Sequence, residues 1–531
     1  MPRTPLVVFA LLVALASACR SPAPRDADDF DAVVYGGTAA GVVAAVQLAE
    51  LGRRVVFLEP TERVGGMTTC GLGATDVGNA DSVGGLARAF YARVAAHYAR
   101  GMDERWTFEP HVALAILESM LATARVPVVF RARIADRDGA EVVDGRIRAL
   151  RTSDGRSFQG RVFVDASYEG DLLARAGVAY RIGREANAEF GETLNGVQTA
   201  NAQKHQFTHD VDPYRVPGDP SSGLLPGIEA TPGGVDGDAD RKVQAYCFRL
   251  CTTDVPANRL PWPKPAGYDE RDYELLLRNF GAGDRRAPWH RVPMPNRKTD
   301  TNNNFAVSTD VIGLSRDWPE ADWPARERLF AAHLRHTQGL LWTLANHARV
   351  PEQVRAEFTA WGPCKDEFVE TGGWPPQLYV REARRMIGTT TMTERHCRGE
   401  LVVDDPIGLG SYGMDSHNVQ RHVDAQGHVR NEGDIQVHGF APYGIAYGAI
   451  SPRREDCANL LVPVAVSATH IAFGSIRMEP VFMVLAQSAA IAADLALERG
   501  DSFAVQDVSY PELRRRLLAA GQRIAPPSPA R

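Results

Sequence analysis

The spacing of apolar residues changes along the chain, and each change marks an element. Ala32-Val33-Val34-Tyr35 is an unbroken apolar run that ends at glycine, residues 41–51 carry alanine and valine at helical spacing, and residues 54–58 hold a second apolar run. Strand, helix and strand within about thirty residues make a βαβ unit. Helical patterns recur over 87–101 and 110–124. From 126 to 166 short apolar strands alternate with turn residues, and Asp138-Gly139 and Asp154-Gly155 are hairpin signals. Between 170 and 438 the pattern loosens into stretches rich in Pro, Gly, Asn and Trp, with helices expected at 325–347 and 351–361. Residues 459–466 read as a strand, and a long alanine-rich helix is expected from Pro480 to about 499, because proline suits a first helical turn whose N–H groups have no partner.

That order predicts an α/β fold. A Rossmann-like nucleotide-binding domain, in two parts over 30–170 and 439–500, is split by a large α+β insertion over 171–438 that forms a cap, and 501–531 is a C-terminal segment. The N-terminus follows a different logic. Arg3 precedes an apolar stretch, 6–16, that is short for a bilayer span and reads as a signal peptide. Leu15-Ala16-Ser17-Ala18-Cys19 resembles a bacterial lipobox, with Ala16 at the place usually held by leucine. Residues 1–19 are therefore expected to direct export, with Cys19 as a lipidated anchor and 20–29 as a polar tether, which places the protein in the periplasm or cell envelope. No later run reaches 18 consecutive apolar residues, so the lipid anchor is the only membrane attachment expected.

A net charge of -6 and a charged fraction of 23% offer no basic surface for nucleic acid, and 531 residues suit about two folding units. Beyond Cys19 six cysteines remain, at 70, 247, 251, 364, 397 and 457. Cys247 and Cys251 have a spacing that also suits metal ligands, but no second Cys or His pair stands nearby at zinc spacing. They are read as a disulfide or as two buried thiols, and no metal is expected.

The stretch Gly36-Gly37-Thr38-Ala39-Ala40-Gly41 ends a strand and opens a helix, where backbone N–H groups and the helix dipole attract a pyrophosphate. Gly36 lets the chain turn, and Gly41 lets the helix approach the sheet. Thr38 stands where the pattern usually has its second glycine. Glu59, at the end of the next strand, is the acidic residue expected about twenty residues downstream to take a ribose hydroxyl. Then comes Glu62-Arg63-Val64-Gly65-Gly66-Met67, a second glycine pair of the kind many flavoproteins carry beside FAD.

With these motifs the chain resembles the bacterial FAD-dependent oxidoreductases that have a glutathione-reductase-like FAD domain, many of them exported. The resemblance runs from Asp31 to about Gly500 and includes 71–76, 164–171, 301–304, 379–385, 411–418 and 475–480. It implies that Asp165 lies beside the dinucleotide, and that Gly474, Ser475, Ile476, Arg477 and Met478 pass along the flavin. The usual Gly-Asp near the last strand is replaced here by residues 463–467.

Flavin oxidation of an alcohol or amine requires a base for the proton and a cation or helix N-terminus for the charge reaching the ring. His417, in a polar loop-like stretch with Asp415 to orient it, is the first candidate base, and His470 is the second. Arg477 is the candidate cation. Arg381, Glu382, Arg384 and Arg385 read as a solvated face, Asn302 to Asn304 as a turn or as ligands for sugar hydroxyls, and Cys70 as a buried small side chain. The expected function is FAD-dependent oxidation of an extracytoplasmic organic substrate, with a carbohydrate favoured by export and by the Asn- and Trp-rich insertion. The electron acceptor has no motif here. Two alternatives stay open: a flavin-dependent, non-redox elimination on a polysaccharide, and a binding lipoprotein without chemistry.

Overall fold

The computed structural model describes residues 29–101 and 106–526, so the expected signal peptide, Cys19 and nearly all of the tether lie outside the described residues. Strand β1 (Asp29–Tyr35) is buried from Asp31 onward. A strand covered on both faces has no solvent side to alternate with, which is why its sequence is an unbroken apolar run. It lies between β2 (Val55–Leu58) and a long strand at Ser157–Asp165, parallel to both, with Ala32 opposite Val55 and Val162. The crossover from β1 to β2 is helix α1 (Ala39–Glu50), started by Thr38, whose hydroxyl accepts from Gly41 N at 3.1 Å.

The sheet continues through β3 (Val128–Val129), β4 (Ala140–Val143), β5 (Arg146–Arg151) and β6 (Ser157–Asp165), in the order β3-β2-β1-β6-β5-β4. Strand β6 is parallel to β1 and antiparallel to β5, so it joins a parallel half to a hairpin. The hairpin between β4 and β5 turns at Asp144-Gly145, not at the expected Asp138-Gly139. Both Asp144 and Gly145 have positive φ, 51° and 67°, as a tight two-residue turn needs. Of the strand expected over 459–466, only Leu460–Leu461 joins the sheet, parallel to β6. Pro463 follows at once and has no N–H for a ladder.

The insertion holds a second, antiparallel sheet of Trp289–Met294, Lys298–Asn303, Leu250–Thr253 and Gly362–Pro363, in that order, beside several two-stranded ones. Helix α2 (Trp323–Asn346) and the helix Glu352–Ala360 pack together beside it. After residue 469 the chain forms α3 (His470–Ile476), breaks at Arg477-Met478, and restarts as α4 (Glu479–Arg499). Among the described residues α4 is the one helix long and apolar enough to cross a membrane, and its whole apolar window is buried within the protein. It packs on α1 in the core, where the many alanines of both helices permit close approach.

The largest departure from expectation is at 381–385. Arg381, Glu382, Arg384 and Arg385 are each no more than 2% exposed. Each arginine meets a carboxylate instead of water, Arg381 on Asp310, Arg384 on Asp171 and Arg385 on Glu185, and the Glu382 carboxylate lies 2.8 Å from His470 Nδ1. Local charge density cannot reveal partners 71 to 213 residues away.

Candidate functional site

Between the end of β1 and the first turn of α1, three glycines leave no free space for a Cβ. Gly36 has φ +99°, and a Cβ there would meet Ser167 N at 2.4 Å. A Cβ on Gly37 would meet the Glu59 carboxylate at 1.6 Å, and one on Gly41 would meet Gly36 O at 2.1 Å. At the first helical positions, Ala39 and Ala40 carry N–H groups that have no acceptor within the helix. Thr38 donates its hydroxyl to Ala166 O at 2.8 Å, which ties the helix start to the end of β6. Glu59 is 4% exposed and accepts from Thr61 N at 2.5 Å. Burial pushes its carboxyl up to about 7, against the opposing bonds from Thr61 and Gly37.

A cavity of about 340 Å³ opens against this loop, lined by Gly36, Gly37, Thr38, Glu59 and Gly66 at one end and by Trp318 and Leu378 toward the insertion. The glycine cradle, the helix N-terminus and the carboxylate at the end of β2 are the donor set and the clearance a dinucleotide requires. The residues present therefore fit FAD.

The second glycine pair is built into the same cradle. Gly65 N donates to Gly37 O at 2.6 Å, and Met67 N donates to the Tyr168 hydroxyl at 2.9 Å. That hydroxyl donates to Glu479 at 2.6 Å, and Thr68 donates to the other Glu479 oxygen at 2.8 Å, so the first turn of α4 is joined to the loop. Other residues expected at the cofactor support it from outside the cavity. Arg63 turns away to hold Thr69 O at 3.1 and 2.9 Å. Asp165 spends its carboxylate on Ser167 and on Leu173 N at 2.8 Å. Gly474, Ser475 and Ile476 lie inside α3, where Ser475 bonds Tyr443 and Tyr412 O, and Met478 is 2% exposed.

A second cavity, of about 480 Å³, lies where the insertion meets the end of α3. Stretches far apart in sequence reach it, among them 74–76, 302–304, Tyr379, Asp415 with His417, and Arg477. The extended segment 378–380 is shared by both cavities, with Leu378 and Val380 facing the first and Tyr379 facing the second, as alternation along extended backbone dictates. His417 Nδ1 is 2.7 Å from Asp310, and Arg381 holds Asp310 from the other side at 2.9 Å. Asp310 is thus the residue that orients the ring, in the place expected for Asp415. Asp415 stands on the opposite side, 3.7 Å from Nε2. Burial and the Arg381 charge hold His417 below its ordinary value, outweighing Asp310 and Asp415. Burial raises Asp415, but the charges of His417 and Arg477 hold its carboxyl below the usual range.

Arg477 is 4% exposed and donates to the Tyr379 hydroxyl at 2.9 Å and to Asp415 O at 3.0 Å. Arg249, on the same wall, is paired with Asp300 through two bonds of 2.8 and 2.7 Å. His470 is placed differently from His417. Its Nδ1 meets Glu382 and its Nε2 meets Ser416, both at 2.8 Å, at 2% exposure, so neither ring nitrogen is left for a substrate. Asp310, Arg381 and Arg249 were beyond sequence reasoning, since nothing local to Asp310 marks it as the partner of a histidine 107 residues on.

Elsewhere, Glu109, His111 and Glu367 lie close enough together to hold a metal. The Lys298 ammonium already sits among Glu109, Glu367 and Asp366 at 2.8 to 2.9 Å, which supplies the cation that cluster needs. Cys70, Cys247, Cys251, Cys364, Cys397 and Cys457 are all buried free thiols. The neighbour of Cys251 is Cys364, at 3.7 Å across the strand pair, and not Cys247.

Among solved structures the chain is similar to an L-amino acid deaminase from Proteus vulgaris, at 16% identity over 30% of this chain and 53% of that one, with a TM-score of 0.23. It is similar to L-proline dehydrogenase from P.horikoshii, at 15% identity over 30% and 59% with a TM-score of 0.24. A flavin-containing monooxygenase from Stenotrophomonas maltophilia matches at 19% identity over 31% and 44%, with a TM-score of 0.20. The chain thus spans less than two thirds of each of these proteins. No curated protein matches it. The family model for FAD dependent oxidoreductase matches residues 31–517, which takes in both cavities and the sheet beneath them. The chain belongs to the FAD dependent oxidoreductase family, whose cofactor is FAD.

Proposed function

We propose that the protein oxidises a hydroxyl-bearing organic substrate, with a carbohydrate as the favoured class, in the cavity lined by His417, Asp415, Arg477 and Asn302 to Asn304. The observation that carries this reading is His417, pinned through Nδ1 by Asp310 and presenting Nε2 beside Asp415 on the cavity wall. An acceptor carboxylate on Nδ1 keeps the ring proton there and leaves the Nε2 lone pair free. His417 is neutral near pH 7, because its pKa lies below the ordinary value. It is then ready to take the proton of a substrate hydroxyl at Nε2 as the carbonyl forms. The loop at Gly36, Gly37 and Thr38, with Glu59 and Gly66, would hold FAD, which would supply a two-electron acceptor for the hydride leaving the substrate carbon. Arg477, held rigid by Tyr379 and the Asp415 carbonyl, supplies fixed positive charge for the negative charge that arrives with the hydride. Asn302 to Asn304 offer amide donors and acceptors for further hydroxyls, and Trp106 offers an apolar face for a sugar ring.

The mixed sheet supports placing the FAD domain in the glutathione-reductase type, and the lipobox-like sequence at Cys19 supports export with a lipid anchor. The test is anaerobic titration of the FAD-loaded protein with sugars and polyols. Bleaching of the flavin is the expected result, whereas product without bleaching points to a non-redox elimination. His417→Ala is expected to keep FAD and to slow flavin reduction by about 10² to 10⁴. Reduction at the wild-type rate under saturating substrate would place the base elsewhere.

A further inference from the structure

A third cavity, of about 470 Å³, lies in the insertion behind the active-site wall and is lined by Gly227, Tyr273, Ser308, Asp310, Arg335 and Arg421. Asp310 separates it from the His417 cavity, since its carboxylate is engaged by His417 and Arg381. Nothing in the flavin chemistry above uses this space.

Arg421 sets it apart. The side chain is 8% exposed, yet no carboxylate among the described residues lies within 4.0 Å of it. Other deeply buried arginines of this chain are paired: Arg184 with Asp240 and Glu432, Arg249 with Asp300, Arg385 with Glu185. The Arg421 guanidinium is held only by neutral groups, through Nε on Asn431 Oδ1 at 2.9 Å and Nη2 on Ala306 O at 3.1 Å. Nη1 has no acceptor among the described residues and lies toward Gly227 on the cavity wall, 3.7 Å from where a Cβ of that glycine would be. Asp310 attracts Arg421 from beyond 4.0 Å but is already held by Arg381 and His417, so this buried guanidinium, whose remaining donors face an open cavity, is matched by an oxyanion entering it.

The rest of the lining agrees. Arg335 stands exposed at the rim with no ion pair among the described residues, and the Ser308 hydroxyl adds a donor. Of the three lining carboxylates, Glu229 is neutralised by Arg316 and Lys242, Asp310 by Arg381, and Asp272 is exposed at the edge. Tyr268 and Tyr273 stack at 5.4 Å, and Leu275 and Ile312 add apolar surface for an organic body.

We infer that this cavity binds a small organic oxyanion, a carboxylate or phosphate ester, through Arg421 and Arg335, at a site separate from the FAD and substrate cavities. The inference stands whether or not His417 is the base. The test uses the FAD-loaded protein and three probes, inorganic phosphate, phenyl phosphate and benzoate, in thermal melts against sodium chloride at equal ionic strength. A saturable rise in melting temperature with at least one probe is expected. A stronger response to benzoate marks a carboxylate ligand, and a stronger response to phenyl phosphate marks a phosphate ester. Arg421→Gln should weaken the apparent affinity tenfold or more, and Arg335→Ala by several-fold, with flavin absorbance retained as the sign of a folded protein. Should Arg421→Gln fail to fold, Arg335→Ala decides alone. The inference is overturned if no probe gives a saturable shift, if Arg335→Ala binds like the wild type, or if binding is lost in Arg477→Gln while Arg421→Gln retains it, which would place the ion in the active-site cavity.

Discussion

At the scale of residues, the site depends on what encloses each charged group. His417 is buried beside Arg381, and both effects favour the neutral ring over the pull of Asp310 and Asp415, so the proposed base titrates below the ordinary histidine value. The acid limb of kcat/KM is therefore expected below the ordinary histidine value of 6.5, with a plateau above it. A pH–rate profile checks this, and a limb centred above 6.5 would contradict it. Gly36 shows the same dependence on surroundings for the backbone. With φ at +99° and Ser167 N only 2.4 Å from any added Cβ, Gly36→Val is expected to yield protein without flavin. Absorbance of the purified variant decides it, and full flavin content would remove the cradle from the site.

At the scale of elements, the start of α4 is tied to the glycine loop through Glu479. Its carboxyl is fully buried between Tyr168 and Thr68, and burial pushes it up to about 7, against the two hydrogen bonds it accepts. A carboxyl whose folded-state pKa is raised binds its proton more tightly in the native state. Its contribution is present below the ordinary 4.5 and is lost as pH rises through about 7. The amount is on the order of 3 kcal/mol. Apoprotein is therefore expected to melt at progressively lower temperature across this window, and Glu479→Gln, which cannot ionise, should flatten the slope. Melts of both proteins at a series of pH values test the assignment, and parallel slopes would refute it. Glu59, raised to about 7 by its own burial, adds a slope of the same sign that persists in the variant.

At the scale of the whole molecule, two cavities lie where the sheet domain meets the insertion, divided by Leu378 to Val380, and a third lies within the insertion behind Asp310. This layout would keep cofactor, proposed substrate and inferred anion apart. The proposed attachment lies far from these cavities in sequence, at Cys19. The proposed lipid at Cys19 would hold the protein at a membrane, so Cys19→Ser should move it to the soluble fraction and abolish labelled palmitate incorporation. An unlabelled wild type in a competent bacterial host would leave export without an anchor.

What the sequence by itself determined was the cofactor half. The run from Val33 to Gly41, Glu59 and the Gly65-Gly66 pair are local patterns, because a pyrophosphate is held by successive backbone groups and by one helix terminus. The helices at Trp323–Asn346 and Glu479–Arg499 were legible for the same reason, since an apolar period lies within the element that carries it. Tertiary structure alone decided which charges met. Asp310 reached His417 across 107 residues, Arg384 found Asp171 across 213, and the stretch 381–385, which reads as solvated, became the buried ionic centre of the molecule. A charge carries no local mark of its partner. The desolvation that makes such pairing obligatory exists only once the chain has closed around both.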